Sequence, residues 1–287
     1  LIASRGGRSG FLGVAPEAKI LPVAAQNSPA YAKGIRFAAD KGAQVINLSQ
    51  AVPGPCPDDL QDSIVHALGK GAVVVAGAGN DATTGNSSMH PANCKGVLVA
   101  GAVDAELRPW VKTQRQPYVT VAAPGYLVGS VHPDGRVQTN LAGTSQASAL
   151  TSGIIALVRS KFPNMSNREV VRQVIASAKD IGPRGRDQQT GYGFIRPYRI
   201  MQGSIPKNTP NPVFDEYDQV AKDAKPETDI TPGTREWAQT DNSFSFIMFG
   251  IIGAVLLTVV LLVVFITRRR SRNTPPGPPG PVPGAPP

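Results

Sequence analysis

The 287 residues carry a net charge of +9, but the charge is not gathered where a nucleic acid would need it. Residues 1–204 hold 21 basic and 12 acidic side chains, residues 205–243 hold four and eight, and the rest hold four Arg and no acid. The cations of the first stretch are scattered singly rather than forming a patch or stripe, which excludes nucleic acid as a partner.

Composition divides the chain. Residues 1–203 are an ordinary globular mix, long enough for one domain with a full core. Within it, Ala18–Ala24 reads as a strand interrupted by Pro22, and Ser28 precedes a helical stretch over Pro29–Lys41. Gln44–Ser49 reads as a second strand. Pro57–Lys70 reads as a helix with Asp58 and Asp59 in its first turn. Ala72–Ala76 is nearly all apolar, as expected of a strand covered on both faces. Gly96–Val103 and Tyr118–Ala122 are further strands, and Thr144–Phe162 is a long apolar helix. Ser166 and Glu169 have capping-box spacing at the start of the next helix. Strand–helix–strand alternation predicts an α/β fold with a mainly parallel sheet.

Residues 204–243 read as a polar, Pro-containing linker. Residues 244–267 form a 24-residue run without a charge. At 1.5 Å per residue a helix of that length spans roughly 36 Å, enough to cross a bilayer. Arg268, Arg269, Arg270 and Arg272 follow it, whereas Glu236 and Asp241 precede it. The positive-inside rule then puts the C-terminus in the cytoplasm and the folded domain outside. Residues 273–287 are a Pro/Gly tail with polyproline bias.

The two cysteines, Cys56 and Cys94, have no His or Cys at ligand spacing, so they make no zinc site. Such thiols stay free in the cytosol and pair outside it. An extracytoplasmic domain therefore favours a Cys56–Cys94 disulfide, and it implies an export signal upstream of Leu1.

Three segments carry chemistry. In Leu141–Ser148, a Gly-Thr-Ser turn leads into an apolar helix. This puts Ser145 at the positive helix end, where N–H groups lack partners. Ser145 is there either a nucleophile or a simple helix cap. In Ala76–Asn80, an apolar strand ends in a Gly-rich turn, and Asn80 is either an amide donor or the holder of a left-handed turn. In Val45–Gln50, a strand ends at the same candidate site with an edge suited to an extended peptide.

These segments, in this order, resemble the subtilisin-like serine proteases. Gly13–Ala18, Ala122–Gly125 and Gly191–Gly193 extend the match over nearly all of residues 1–200. The resemblance implies a subtilisin-like three-layer α/β fold with a C-terminal transmembrane helix added. It implies Ser145 as nucleophile and Asn80, with the Ser145 N–H, as oxyanion hole. Ser49, Gln50 and Ala51 on one side, and Gly77, Ala78 and Gly79 on the other, would bind substrate as walls of the S1 pocket. The family usually has Leu-Gly where this chain has Gln50-Ala51, and Pro where it has Ala149. The family's Asp and His both precede the first motif matched here, so the sequence reads as a fragment starting several residues past the catalytic His. His66, on a solvent-facing helix position, His90, before Pro91 beside the pocket, and His132, in a hairpin, are read as structural.

The C-terminal anchor and the Cys56, Cys94 pair resemble the mycosins, the membrane proteases of type VII secretion. That implies a protein or peptide substrate outside the cytoplasmic membrane and association with a secretion membrane complex. The competing reading is a non-catalytic membrane scaffold that keeps the protease fold. No metal or other cofactor is called for, because no dense Asp/Glu loop supports a calcium site.

Overall fold

A computed structural model describes residues 1–132, 134–203 and 208–223. The segments read as the membrane span and the tail lie outside the described residues. Among the described residues, no helix is long and apolar enough to cross a membrane.

The centre is a parallel sheet of four strands, β3 (Val45–Leu48), β5 (Val73–Gly77), β7 (Leu98–Val103) and β8 (Val121–Pro124), in the order β3-β5-β7-β8. Every residue of β5 and β7 is buried, so both faces of the sheet are covered. Helix α3 (Thr144–Lys161) lies against all four strands. Helices α1 (Ser28–Asp40) and α2 (Asp58–Gly69) pack on each other and against β3 and β5. Helix α4 (Asn167–Ser177) meets α3 and the short α5 (Pro197–Gln202). Among the described residues there are also three two-stranded ribbons. They are β1 (Arg5–Gly6) with β2 (Phe11–Leu12), β4 (Val52–Pro53) with β6 (Met89–His90), and β9 (Val128–Val131) with β10 (Val137–Leu141).

Local signals explain most boundaries. The Ser166 hydroxyl accepts from the Glu169 N–H at 3.1 Å, opening α4 where the capping spacing puts it. Helix α1 starts one residue early. Its cap is Asn27, whose Oδ1 accepts from the Ala30 N–H at 2.9 Å, and Ser28 is the first helical residue.

The strand expected at Ala18–Ala24 does not form. A strand needs a neighbour for its ladder, and none pairs with this stretch. Ile20 is left 59% exposed. The same residues share a cavity of about 1240 Å³ with Val45–Leu48, the edge strand of the sheet.

Residues 212–223, read from sequence as part of a linker, contain helix α6 (Pro212–Asp223). Phe214 is buried to 2% exposure, with the Arg168 guanidinium 4.7 Å from its ring centre. Arg168 also grips both oxygens of Asp218, at 2.9 and 2.6 Å. A polar stretch with one buried aromatic folds through that contact, which no window of mean polarity reveals.

Candidate active site

Strands β3 and β5 are neighbours running in the same direction, so their carboxyl ends lie side by side. Ser49 follows one and Ala78–Asn80 follow the other, and the start of α3 meets both. Crevices at carboxyl ends of parallel strands are where such sheets place their ligand sites.

Thr144, the first residue of α3, ties the pieces together. Its N–H and its hydroxyl both donate to Asn80 Oδ1, at 2.9 and 3.0 Å. The same hydroxyl accepts from the Gly79 N–H at 3.1 Å. Because an N–H can only donate, the Asn80 atom facing it must be the oxygen. The Asn80 NH₂ is thereby turned away from Thr144, and it bonds to nothing among the described residues. Two glycines permit this approach. A Cβ on Gly77 would sit 2.8 Å from both the carbonyl and hydroxyl oxygens of Thr144. Gly79 has φ +108°, and a Cβ there would strike Gln114 at 2.5 Å.

Ser145 is next along α3. Its backbone N–H, in the unpaired first turn of the helix, has no acceptor among the described residues. Its hydroxyl donates to the Ser49 carbonyl at 3.0 Å. The Ser49 hydroxyl in turn reaches the Ser145 carbonyl at 3.2 Å and the Ser148 hydroxyl at 3.1 Å. Behind it, Asn47 Nδ2 donates to Ser49 Oγ at 2.8 Å, and the buried Ser152 donates to Asn47 Oδ1 at 3.1 Å. The nucleophile candidate and the end of β3 are thus held in one frame.

The structure brings Ser145, Asn80, Ser49 and Gly77–Gly79 together. Gly77, Ala78 and Gly79 are buried, and the Ala78 and Gly79 N–H groups are already used by Ala100 and Thr144. They form a closed wall. Gln50 and Ala51 are exposed on the opposite side, and their backbone groups have no hydrogen-bond partner among the described residues. Sequence reasoning missed Thr144, Asn47 and Gln114. Gln114 braces the Asn80 turn through the Asp81 N–H at 3.0 Å and the Ser87 carbonyl at 2.7 Å. The Thr144 signal was available in Gly-Thr-Ser itself; the others come from distant positions.

No histidine touches Ser145. His90, 6% exposed, pairs through Nε2 with Ser28 Oγ at 2.9 Å. His132 faces Asp134 at 3.0 Å. His66 differs from the solvent-facing expectation: its side chain is 11% exposed and bridges α2 to Asp40 at the end of α1, at 2.7 Å. The cause is the packing of α1 on α2, which the α2 sequence alone does not contain. Among the described residues no group of three His, Cys, Asp or Glu side chains is placed to hold a metal ion.

Cys56 and Cys94 are joined by a disulfide, with Cα atoms 5.1 Å apart. It ties the segment leading into α2 to the loop before β7, and the pairing agrees with the sequence expectation.

Comparison with known proteins places the chain in a family. The profile of the subtilase family matches residues 1–193. Mycosin-2 of Mycobacterium tuberculosis is 30% identical over 93% of this chain, which spans 58% of that protein's length. The solved structure of the MycP3 protease from the type VII (ESX-3) secretion system superposes with a TM-score of 0.60 at 31% identity, covering 70% of each chain. A chain in the periplasmic assembly of the ESX-5 inner membrane complex gives a TM-score of 0.62 at 28% identity, covering 70% of this chain and 64% of that one. With that profile covering residues 1–193, the chain belongs to the subtilase family, peptidase S8.

Proposed function

We propose that the whole protein is a membrane-anchored, mycosin-like serine endopeptidase that cleaves proteins outside the cytoplasmic membrane and is associated with a type VII secretion complex. The observation that carries the chemistry is the orientation of Asn80. Its oxygen is held by Thr144, so its NH₂ and the unpaired Ser145 N–H remain as two donors beside the Ser145 hydroxyl. Two such donors stabilise the negative charge that develops on a carbonyl oxygen under attack.

On this reading Ser145 Oγ attacks the substrate carbonyl, its proton passes to a general base, and the carbonyl oxygen is held by Asn80 and Ser145 N–H. The base then protonates the leaving amine, and water releases the acyl group by the same route. Since His66, His90 and His132 are engaged elsewhere, the base and its orienting carboxylate are supplied by polypeptide outside these residues. The activity is therefore that of the longer protein. Membrane attachment rests on the uncharged run at 244–267 and the Arg cluster after it.

The test is peptide hydrolysis by the full-length protein and its Ser145→Ala variant. A loss of several powers of ten is expected, and full retention removes Ser145 from the mechanism. A second reading, a scaffold that keeps the fold without cleavage, is favoured by the similarity to a chain of the ESX-5 periplasmic assembly. It predicts that complex assembly survives Ser145→Ala and that the wild-type protein hydrolyses no peptide.

A further inference from the structure

Gln146 is the third residue of α3, directly after Thr144 and Ser145. A glutamine at this position ordinarily folds its oxygen back onto the N–H of the residue that caps the helix. Here that residue is Gly143, and its N–H already donates to the Gly125 carbonyl at 2.7 Å. Gln146 Oε1 is therefore left buried with no donor among the described residues. An acceptor stripped of water and unpaired is destabilising, so the fold gains nothing from holding it there.

A donor stands on the other side of Gly143. A Cβ built on that glycine would lie 2.8 Å from Gln146 Oε1 and 3.5 Å from Asn80 Nδ2. The Asn80 carboxamide cannot turn over, because the Thr144 N–H, a group that only donates, holds its oxygen. The nitrogen near Gln146 therefore carries two N–H bonds, and neither has a partner among the described residues. A substrate oxygen uses one of them.

We propose that Gln146 is a positioning residue of the oxyanion hole: its Oε1 takes one Asn80 N–H while the other is aimed at the carbonyl oxygen under attack. The two amides do not bond in this structure, and contacts of this kind commonly tighten only in the complex with substrate. Bonds at both N–H groups and at the oxygen fix the plane of the Asn80 amide, so the charge developing on the substrate meets a donor already in place.

This inference rests on the endopeptidase reading, and its test separates the two. The full-length protein, Gln146→Leu and Gln146→Glu are compared on one peptide substrate for kcat, KM and thermal midpoint, between about pH 5 and 9. Gln146→Leu fills the same space without an acceptor. Its kcat is expected to fall about tenfold with KM unchanged. Its thermal midpoint does not fall, because an unpaired buried oxygen has been removed. Gln146→Glu keeps an acceptor in both protonation states. As a carboxylate it sets a negative charge near the developing oxyanion and lowers kcat further than Leu does. Once protonated, it takes the Asn80 N–H as Gln does. Its kcat relative to the parent at the same pH is therefore expected to rise as pH falls through the pKa of the new carboxyl. A Gln146→Leu kcat equal to that of the parent overturns the proposal. So does a Gln146→Glu ratio that stays flat with pH, which is what a merely structural role gives. Both results leave the endopeptidase reading standing, whereas a parent that cleaves no peptide overturns both.

Discussion

Asn80 draws its chemical meaning from Thr144. An asparagine after a Gly-rich turn presents either end of its amide, and only the Thr144 N–H decides which. Thr144→Val keeps that N–H and the side-chain volume but removes the hydroxyl. In the full-length protein it is expected to lower kcat about tenfold with little change in KM. It also leaves the buried Gly79 N–H without its acceptor, costing about 1–3 kcal/mol in thermal or denaturant unfolding. Losing an oxyanion donor outright in a relative of this family costs about 10²–10³ in kcat, which sets the upper scale. Ser145 and Asn80 were legible in the sequence because each sits at a change of local pattern, strand to glycine turn or glycine turn to helix. Asn47 and Gln114 were not. Their partners, Ser152 and Asp81, lie 105 and 33 residues away, and nothing local marks them.

At the scale of elements, two attachments differ in kind. The disulfide closes a separation of 38 residues between the start of α2 and the loop before β7. Loop-closure entropy assigns it about 4 kcal/mol, so reduction is expected to lower the denaturant midpoint clearly without abolishing the fold. Helix α6 is held by the buried Val213 and Phe214 and by exposed ion pairs. Arg168 beside Asp218 holds that carboxyl below the usual range. A depressed carboxylate contributes stability above its ordinary pKa and loses it as pH falls through the lower one. At this exposure the contribution is under about 1 kcal/mol. Asp218→Asn should therefore change the midpoint little, and Phe214→Ala should cost about 3–5 kcal/mol. Equal effects from the two variants would show that charge, not burial, docks α6.

For the whole molecule, the proposal of a single membrane span makes a topological prediction. A reporter active only outside the cytoplasm should work when fused after Asp223 and fail when fused after Arg272, with a cytoplasmic reporter giving the reverse. The same signal from both fusions removes the span. The sequence by itself determined the α/β class and the order of the main helices and strands, and it marked Ser145 and Asn80 as the candidates of the site. These follow from periodicity, local turn chemistry or a motif carried within a few residues, whereas the Cys56–Cys94 pairing followed from reading the domain as extracytoplasmic. Only the tertiary structure decided that Ala18–Ala24 has no strand partner, that α6 forms around Phe214, that His66 bridges two helices, and which end of the Asn80 amide faces outward. Those outcomes depend on which groups meet across the fold. A hydrogen bond or a buried ring is settled by its partner, and the partner is brought near by the packing of the chain rather than by its own neighbours in sequence.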